Sequence, residues 1–99
     1  DKNNFLISDV VEKPSIKKAP SHNAVIGRYI LPKKIFGVLN NQKKGKGGEI
    51  HITDAIKKMI GNGSKFVGHK FLGKYLDCGT MSGYIKSNLE ISKSWKFAW

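Results

Sequence analysis

Two short stretches of this sequence join a carboxylate to residues that handle anions. Glu12-Lys13-Pro14 sets an acid and a cation ahead of a proline, and Asp77-Cys78-Gly79-Thr80 sets an acid before a glycine and a helix-capping hydroxyl. A carboxylate placed this way can hold a hard cation such as magnesium, and a neighbouring lysine neutralises a phosphate as a compact point charge. An anionic, phosphate-bearing ligand would use both. From spacing alone, the plainer reading is the commoner one: Glu-Lys before proline makes an exposed turn, and Asp before Gly-Thr ends a strand and biases a helix start.

Other chemistry-bearing residues carry weaker signals. His51 and Asp54 are three residues apart and could serve as a pair of ligands, but a surface histidine is the better reading. Cys78 lies next to an acid, an environment that disfavours a thiolate nucleophile. Gly45-Lys46-Gly47-Gly48 is no P-loop, because no Lys-Ser/Thr follows its last glycine at the required position. It reads as a solvated linker.

The elements that must position these residues follow from periodicity and breakers. Phe5 to Val11 reads as a strand ending at Glu12-Lys13, since Pro14 cannot donate to a ladder. Ser15 to Asn23 has a loop composition, and Ala24 to Leu31 then reads as a largely buried second strand. Pro32 suits the first position of a helix that carries Ile35, Phe36, Val38 and Leu39 on one stripe. Asn40 to Gly48 has no apolar residue and should be an exposed, mobile loop. Thr53 can cap a second helix with Asp54 in its first turn and Ala55, Ile56, Met59 and Ile60 facing inward, and Gly61-Asn62-Gly63 ends it. One or two strands are expected within Lys65 to Leu72 and Tyr75 to Asp77. Thr80 then caps a last helix with Met81, Tyr84, Ile85 and Leu89 at helical spacing, and Trp95, Phe97 and Trp99 make an aromatic tail. The order strand, strand, helix, helix, strand, helix is that of an α/β layer. Both candidate stretches fall at carboxyl ends of strands, where open α/β sheets bind ligands.

Composition bounds what such a chain can do. With 99 residues there is room for one small core, near 13 Å in radius of gyration by size scaling. The net charge of +11 draws the chain toward polyanions, which motivates a second reading as a small basic nucleic-acid-binding module. Seventeen of the eighteen cations are lysine, and both sequence halves share the excess. Base-edge recognition leans on the arginine fork, so a solvated lysine surface is the better account and no nucleic-acid partner is expected. A single cysteine excludes an internal disulfide and fits a reducing compartment. Apolar runs such as Tyr29-Ile30-Leu31 are far too short to span a bilayer, and the polar start at Asp1 is no signal peptide, so a soluble cytoplasmic protein with no membrane partner is expected.

Taken in order, Val10-Val11-Glu12-Lys13-Pro14, Ala19-Pro20-Ser21, Ala24 to Leu31, Gly47-Gly48-Glu49-Ile50 through Thr53-Asp54-Ala55-Ile56, and Tyr75-Leu76-Asp77-Cys78-Gly79 resemble the bacterial UTP-glucose-1-phosphate uridylyltransferases. The likeness runs through nearly the whole chain, and the Gly-Gly-Glu-Ile to Thr-Asp-Ala-Ile block separates this family from the thymidylyltransferases. It covers only the family's C-terminal portion. The N-terminal nucleotide-binding half, with its glycine-rich loop and first metal-binding aspartate, has no counterpart in these residues, so residues 1–99 are expected to be the sugar-phosphate-binding portion and to be inactive alone.

The resemblance implies the C-terminal part of a Rossmann-like nucleotidyltransferase sheet and a reaction in which glucose-1-phosphate attacks UTP, giving UDP-glucose and pyrophosphate with magnesium as cofactor. Carried over residue by residue, it implies that Glu12 accepts hydrogen bonds from glucose hydroxyls and that Lys13 meets the sugar phosphate. It implies that Val25 offers its backbone N–H to the sugar and that Asp77 is a carboxylate on the metal. Half a sheet should expose open edges, so a homo-oligomer is expected, with copies pairing by strand exchange.

Overall fold

The computed structural model describes residues 2–94, so Trp95, Phe97 and Trp99 lie outside the described residues. The order is β1 (Asn4–Ile7), a 3-10 turn (Ile16–Lys18), α1 (Ile35–Asn40), a second 3-10 turn (Lys46–Gly48), α2 (Ile52–Gly61), β2 (Phe66–His69) and α3 (Met81–Ser94).

The apolar spacing of α2 builds the core. Ile52, Ala55, Ile56, Met59 and Ile60 recur three and four residues apart and form one stripe. Ala55, Ile56 and Met59 are buried with Ile35 of α1, and Val38, Leu39, Leu31, Val10 and Phe66 close around them. Phe36, expected on the α1 stripe, points away and is 66% exposed, because the next residue along a helix turns about 100° off the buried face. α2 ends as its glycines suggest. Gly63 adopts φ +90°, its N–H donates to the Ile60 carbonyl, and the Ser64 N–H donates to the Met59 carbonyl, the paired bonds of a Schellman motif.

Among the described residues the sheet has two strands, β1 and β2, antiparallel, with Phe5 opposite Gly68 and Ile7 opposite Phe66. The Phe5 ring lies over Gly68, where an added Cβ would come within 2.8 Å of it. Three expected strand segments are not strands. Beyond Ile7 the first run leaves the ladder, because β2 offers only four partners. The expected second strand, 24–31, is irregular, with Gly27 at φ +76° and Val25, Tyr29 and Ile30 exposed. Its apolar run pairs with no strand among the described residues. Residues 75–77 are likewise irregular, since the Asp77 carboxylate folds back on the chain rather than leaving it extended.

Thr80 caps α3 as its position suggests, its Oγ1 accepting from the Gly83 N–H at 3.1 Å. Ser87 is the buried residue of this helix; Met81, Tyr84, Ile85 and Leu89 are all more than half exposed. Lys74 and Glu90 form an ion pair, and the Lys74 ammonium, as hydrogen-bond donor and as charge, holds the Glu90 carboxyl below its ordinary range. The exposed irregular segments and the sparsely packed α3 give a radius of gyration of 17.0 Å, well above the sequence-based expectation of about 13 Å for this length. Among the described residues no helix is long and apolar enough to cross a membrane.

Candidate functional site

Glu12 and Lys13 follow β1 by a few residues and lie against the segment between α1 and α2. Lys13 is the one non-glycine residue with positive φ, at +41°, among the described residues. That conformation costs an L-residue about 1–2 kcal/mol, and a residue before proline is restricted further. Strain of this kind persists only where neighbours over-determine it, and it concentrates at ligand sites.

The neighbours come from residues 42–54. Thr53 donates its hydroxyl to Glu12 Oε2 at 2.6 Å, and the Lys46 ammonium donates to the Lys13 carbonyl. His51 lies beside them, Nδ1 4.0 Å from Glu12 Oε1 and Nε2 3.9 Å from a Glu49 oxygen. Its Nε2 is 2.7 Å from the Lys46 carbonyl, and a carbonyl only accepts, so this nitrogen carries a proton. Gln42 donates from Nε2 to the His51 carbonyl at 2.8 Å, and the Gly45 N–H donates to the Glu49 carbonyl at 2.8 Å. A Cβ at Gly45 would stand 2.5 Å from Asp54 Oδ2, so a larger residue there would require that carboxylate to swing aside. The 40–48 stretch is thus exposed, as its composition suggests, yet tied down by side-chain and backbone bonds.

Two readings from the sequence change here. Thr53 does not cap α2. His51 occupies the N-cap position with extended backbone angles, Thr53 lies inside the helix, and its hydroxyl is therefore released to reach Glu12. His51 is no free surface histidine, because its side chain is only 14% exposed. A threonine that misses the cap by two positions is a signal legible only once the helix start is known.

Asp77 sits apart from this cluster in its bonding. Its Oδ1 accepts from the Gly79 N–H at 2.9 Å, its backbone carbonyl accepts from Ser87 Oγ at 3.4 Å, and no hydrogen bond or ion pair joins it to Glu12 or Lys13 among the described residues. Gly83 lets the 77 backbone pass close to α3, since a Cβ there would stand 2.4 Å from the Asp77 carbonyl oxygen. Asp77 Oδ2 carries no hydrogen bond among the described residues, so the side chain offers an oxygen of the kind a hard cation takes. One carboxylate completed by phosphate oxygens and water is a usual magnesium set, so this donor fits such an ion. The described residues hold no group of three or more His, Cys, Asp or Glu side chains that could form an all-protein metal site. Val25 is 56% exposed, and its N–H has no partner among the described residues.

The described residues thus place a strained Lys13 beside an oriented Glu12 carboxylate and, separately, the Asp77 carboxylate ahead of a capped helix. The matching family model, nucleotidyl transferase, covers residues 1–94, and the chain belongs to that family. It is 47% identical over 83 residues to the UTP-glucose-1-phosphate uridylyltransferase of Pseudomonas aeruginosa strain PAO1, covering 84% of this chain and 29% of that one. It is 38% identical to UTP-glucose-1-phosphate uridylyltransferase 1 of Staphylococcus saprophyticus, over 89% of this chain and 30% of that one. A crystal structure of UDP-glucose pyrophosphorylase complexed with UDP-glucose matches with a TM-score of 0.87 and 41% identity, covering 96% of this chain and 36% of that chain. The chain therefore has the α/β fold of this family and spans about 30% of the length of these uridylyltransferase relatives.

Proposed function

We propose that residues 1–99 form the sugar-phosphate-binding portion of a UTP-glucose-1-phosphate uridylyltransferase, a soluble cytoplasmic enzyme making UDP-glucose and pyrophosphate. The observation that carries this reading is the strained Glu12-Lys13 pair, held by the 42–54 segment, in a chain whose relatives bear that name. Glucose-1-phosphate supplies the groups this pair suits: hydroxyls for Glu12 and a dianionic phosphate for Lys13. Val25 is exposed, and its N–H, which has no partner among the described residues, would donate to the sugar. Recognition of uridine and the triphosphate is assigned in this reading to the part of the relatives' length that this chain does not span.

In the reaction, a phosphate oxygen of glucose-1-phosphate attacks the α-phosphorus of UTP and pyrophosphate leaves. The protein has little covalent chemistry to perform. Its residues hold two mutually repelling phosphates in line and offset their charge. Nucleotidyl transfer of this class generally uses a divalent metal, here taken as magnesium, which supplies charge neutralisation; Asp77 is the residue that would hold it through its open Oδ2. The exposed apolar faces of α3 and the β1–β2 ribbon suit a homo-oligomer, with strand exchange between copies as one form.

Asp77→Ala in the complete enzyme tests the metal assignment. Turnover should fall about a hundredfold or more while the thermal unfolding midpoint is preserved. Near-normal turnover would remove Asp77 from the metal site.

A further inference from the structure

Thr53 and Lys46, both in the 42–54 segment, reach the two residues that carry the proposed function. Thr53 Oγ1 donates to Glu12 Oε2 at 2.6 Å, and the Lys46 ammonium donates to the carbonyl of Lys13, whose φ is +41°. A carboxylate with one oxygen so engaged is held toward one setting of its last torsion. Among the described residues Glu12 Oε1 is then the oxygen without a hydrogen bond, its near neighbour being His51 Nδ1 at 4.0 Å. Glu12 is only 23% exposed on its side chain, so its rotamer is set by these partners rather than by water.

We propose that Thr53 is a positioning residue for sugar recognition: its hydroxyl takes one oxygen of Glu12 and turns the other toward the hydroxyls of the sugar phosphate. Lys46 does the companion work on the backbone, fixing the left-handed Lys13 so that its ammonium projects from a rigid turn. The 42–54 segment thus acts on the sugar phosphate without touching it. A glucose-phosphate site built this way discriminates by orientation, because a freely rotating carboxylate would accept hydroxyls in several poses.

The inference rests on the uridylyltransferase reading, and one experiment separates the two. The complete enzyme is assayed for UDP-glucose formation as wild type, Thr53→Val, Thr53→Ser, Glu12→Ala and the double variant Glu12→Ala/Thr53→Val. A wild type that forms no UDP-glucose overturns the functional reading, and with it this inference. With an active wild type, Thr53→Val should raise KM for glucose-1-phosphate about tenfold, the scale of one lost hydrogen bond to a charged group, with KM for UTP unchanged. Thr53→Ser should restore it. In the Glu12→Ala background the same Thr53→Val change should have no further effect, since the carboxylate it orients is gone. An unchanged KM in Thr53→Val, or the same loss with and without Glu12, would overturn the positioning role. Lys46→Met should raise the same KM, and an unchanged value there would overturn the companion role.

Discussion

At the scale of single residues, Lys13 has the least comfortable backbone. A lysine before proline with φ +41° is a conformation the chain would relax if nothing held it. Lys13→Gly should relieve it. In the complete enzyme we expect the unfolding midpoint to hold or rise, by up to about 1 kcal/mol of added stability, while KM for glucose-1-phosphate increases because the ammonium is lost. A large loss of stability, measured by thermal unfolding, would show that the lysine side chain rather than its backbone geometry supports the turn. Glu12-Lys13 and Asp77 stood out in the sequence as residue types near a proline and a glycine. Their surroundings did not. Thr53 read as a cap because Thr-Asp before an apolar run is a cap pattern, and only the helix start at Ile52 frees its hydroxyl for a carboxylate 41 positions earlier.

At the scale of elements, periodicity was informative where a face is buried and misleading where no partner exists. The α2 stripe, its glycine stop and the Thr80 cap of α3 were legible because each depends on residues within one turn. The run 24–31 has a strand's composition, but strand formation is a statement about a neighbour, and among the described residues none pairs with it. The contact of α3 with the Asp77 turn is a case of non-local packing that no local pattern announces. It rests on Gly83, where a Cβ would meet the Asp77 carbonyl at 2.4 Å, and on Ser87, which donates to the same oxygen. Gly83→Ala would favour the isolated helix by about 1 kcal/mol yet force the turn away. Reduced turnover with helix content retained by circular dichroism is the expected outcome, and normal turnover would show that Asp77 does not depend on this close approach.

At the scale of the whole molecule, the proposed function gives this chain the sugar-phosphate side of a two-substrate reaction. The +11 charge, which on its face suggested nucleic acid, contributes at the site chiefly through Lys13 and Lys46, while the remaining lysines are spread along the chain. The 17.0 Å radius of gyration and the exposed face of α3 describe an open arrangement with uncovered apolar surface. If the reading is right, damage confined to this piece should affect one substrate and spare the other. The most direct test is Lys13→Met in the complete enzyme, with KM measured separately for glucose-1-phosphate and for UTP. The account predicts a rise of about tenfold or more for glucose-1-phosphate and none for UTP. Equal rises for both substrates, or no change for glucose-1-phosphate, would contradict it.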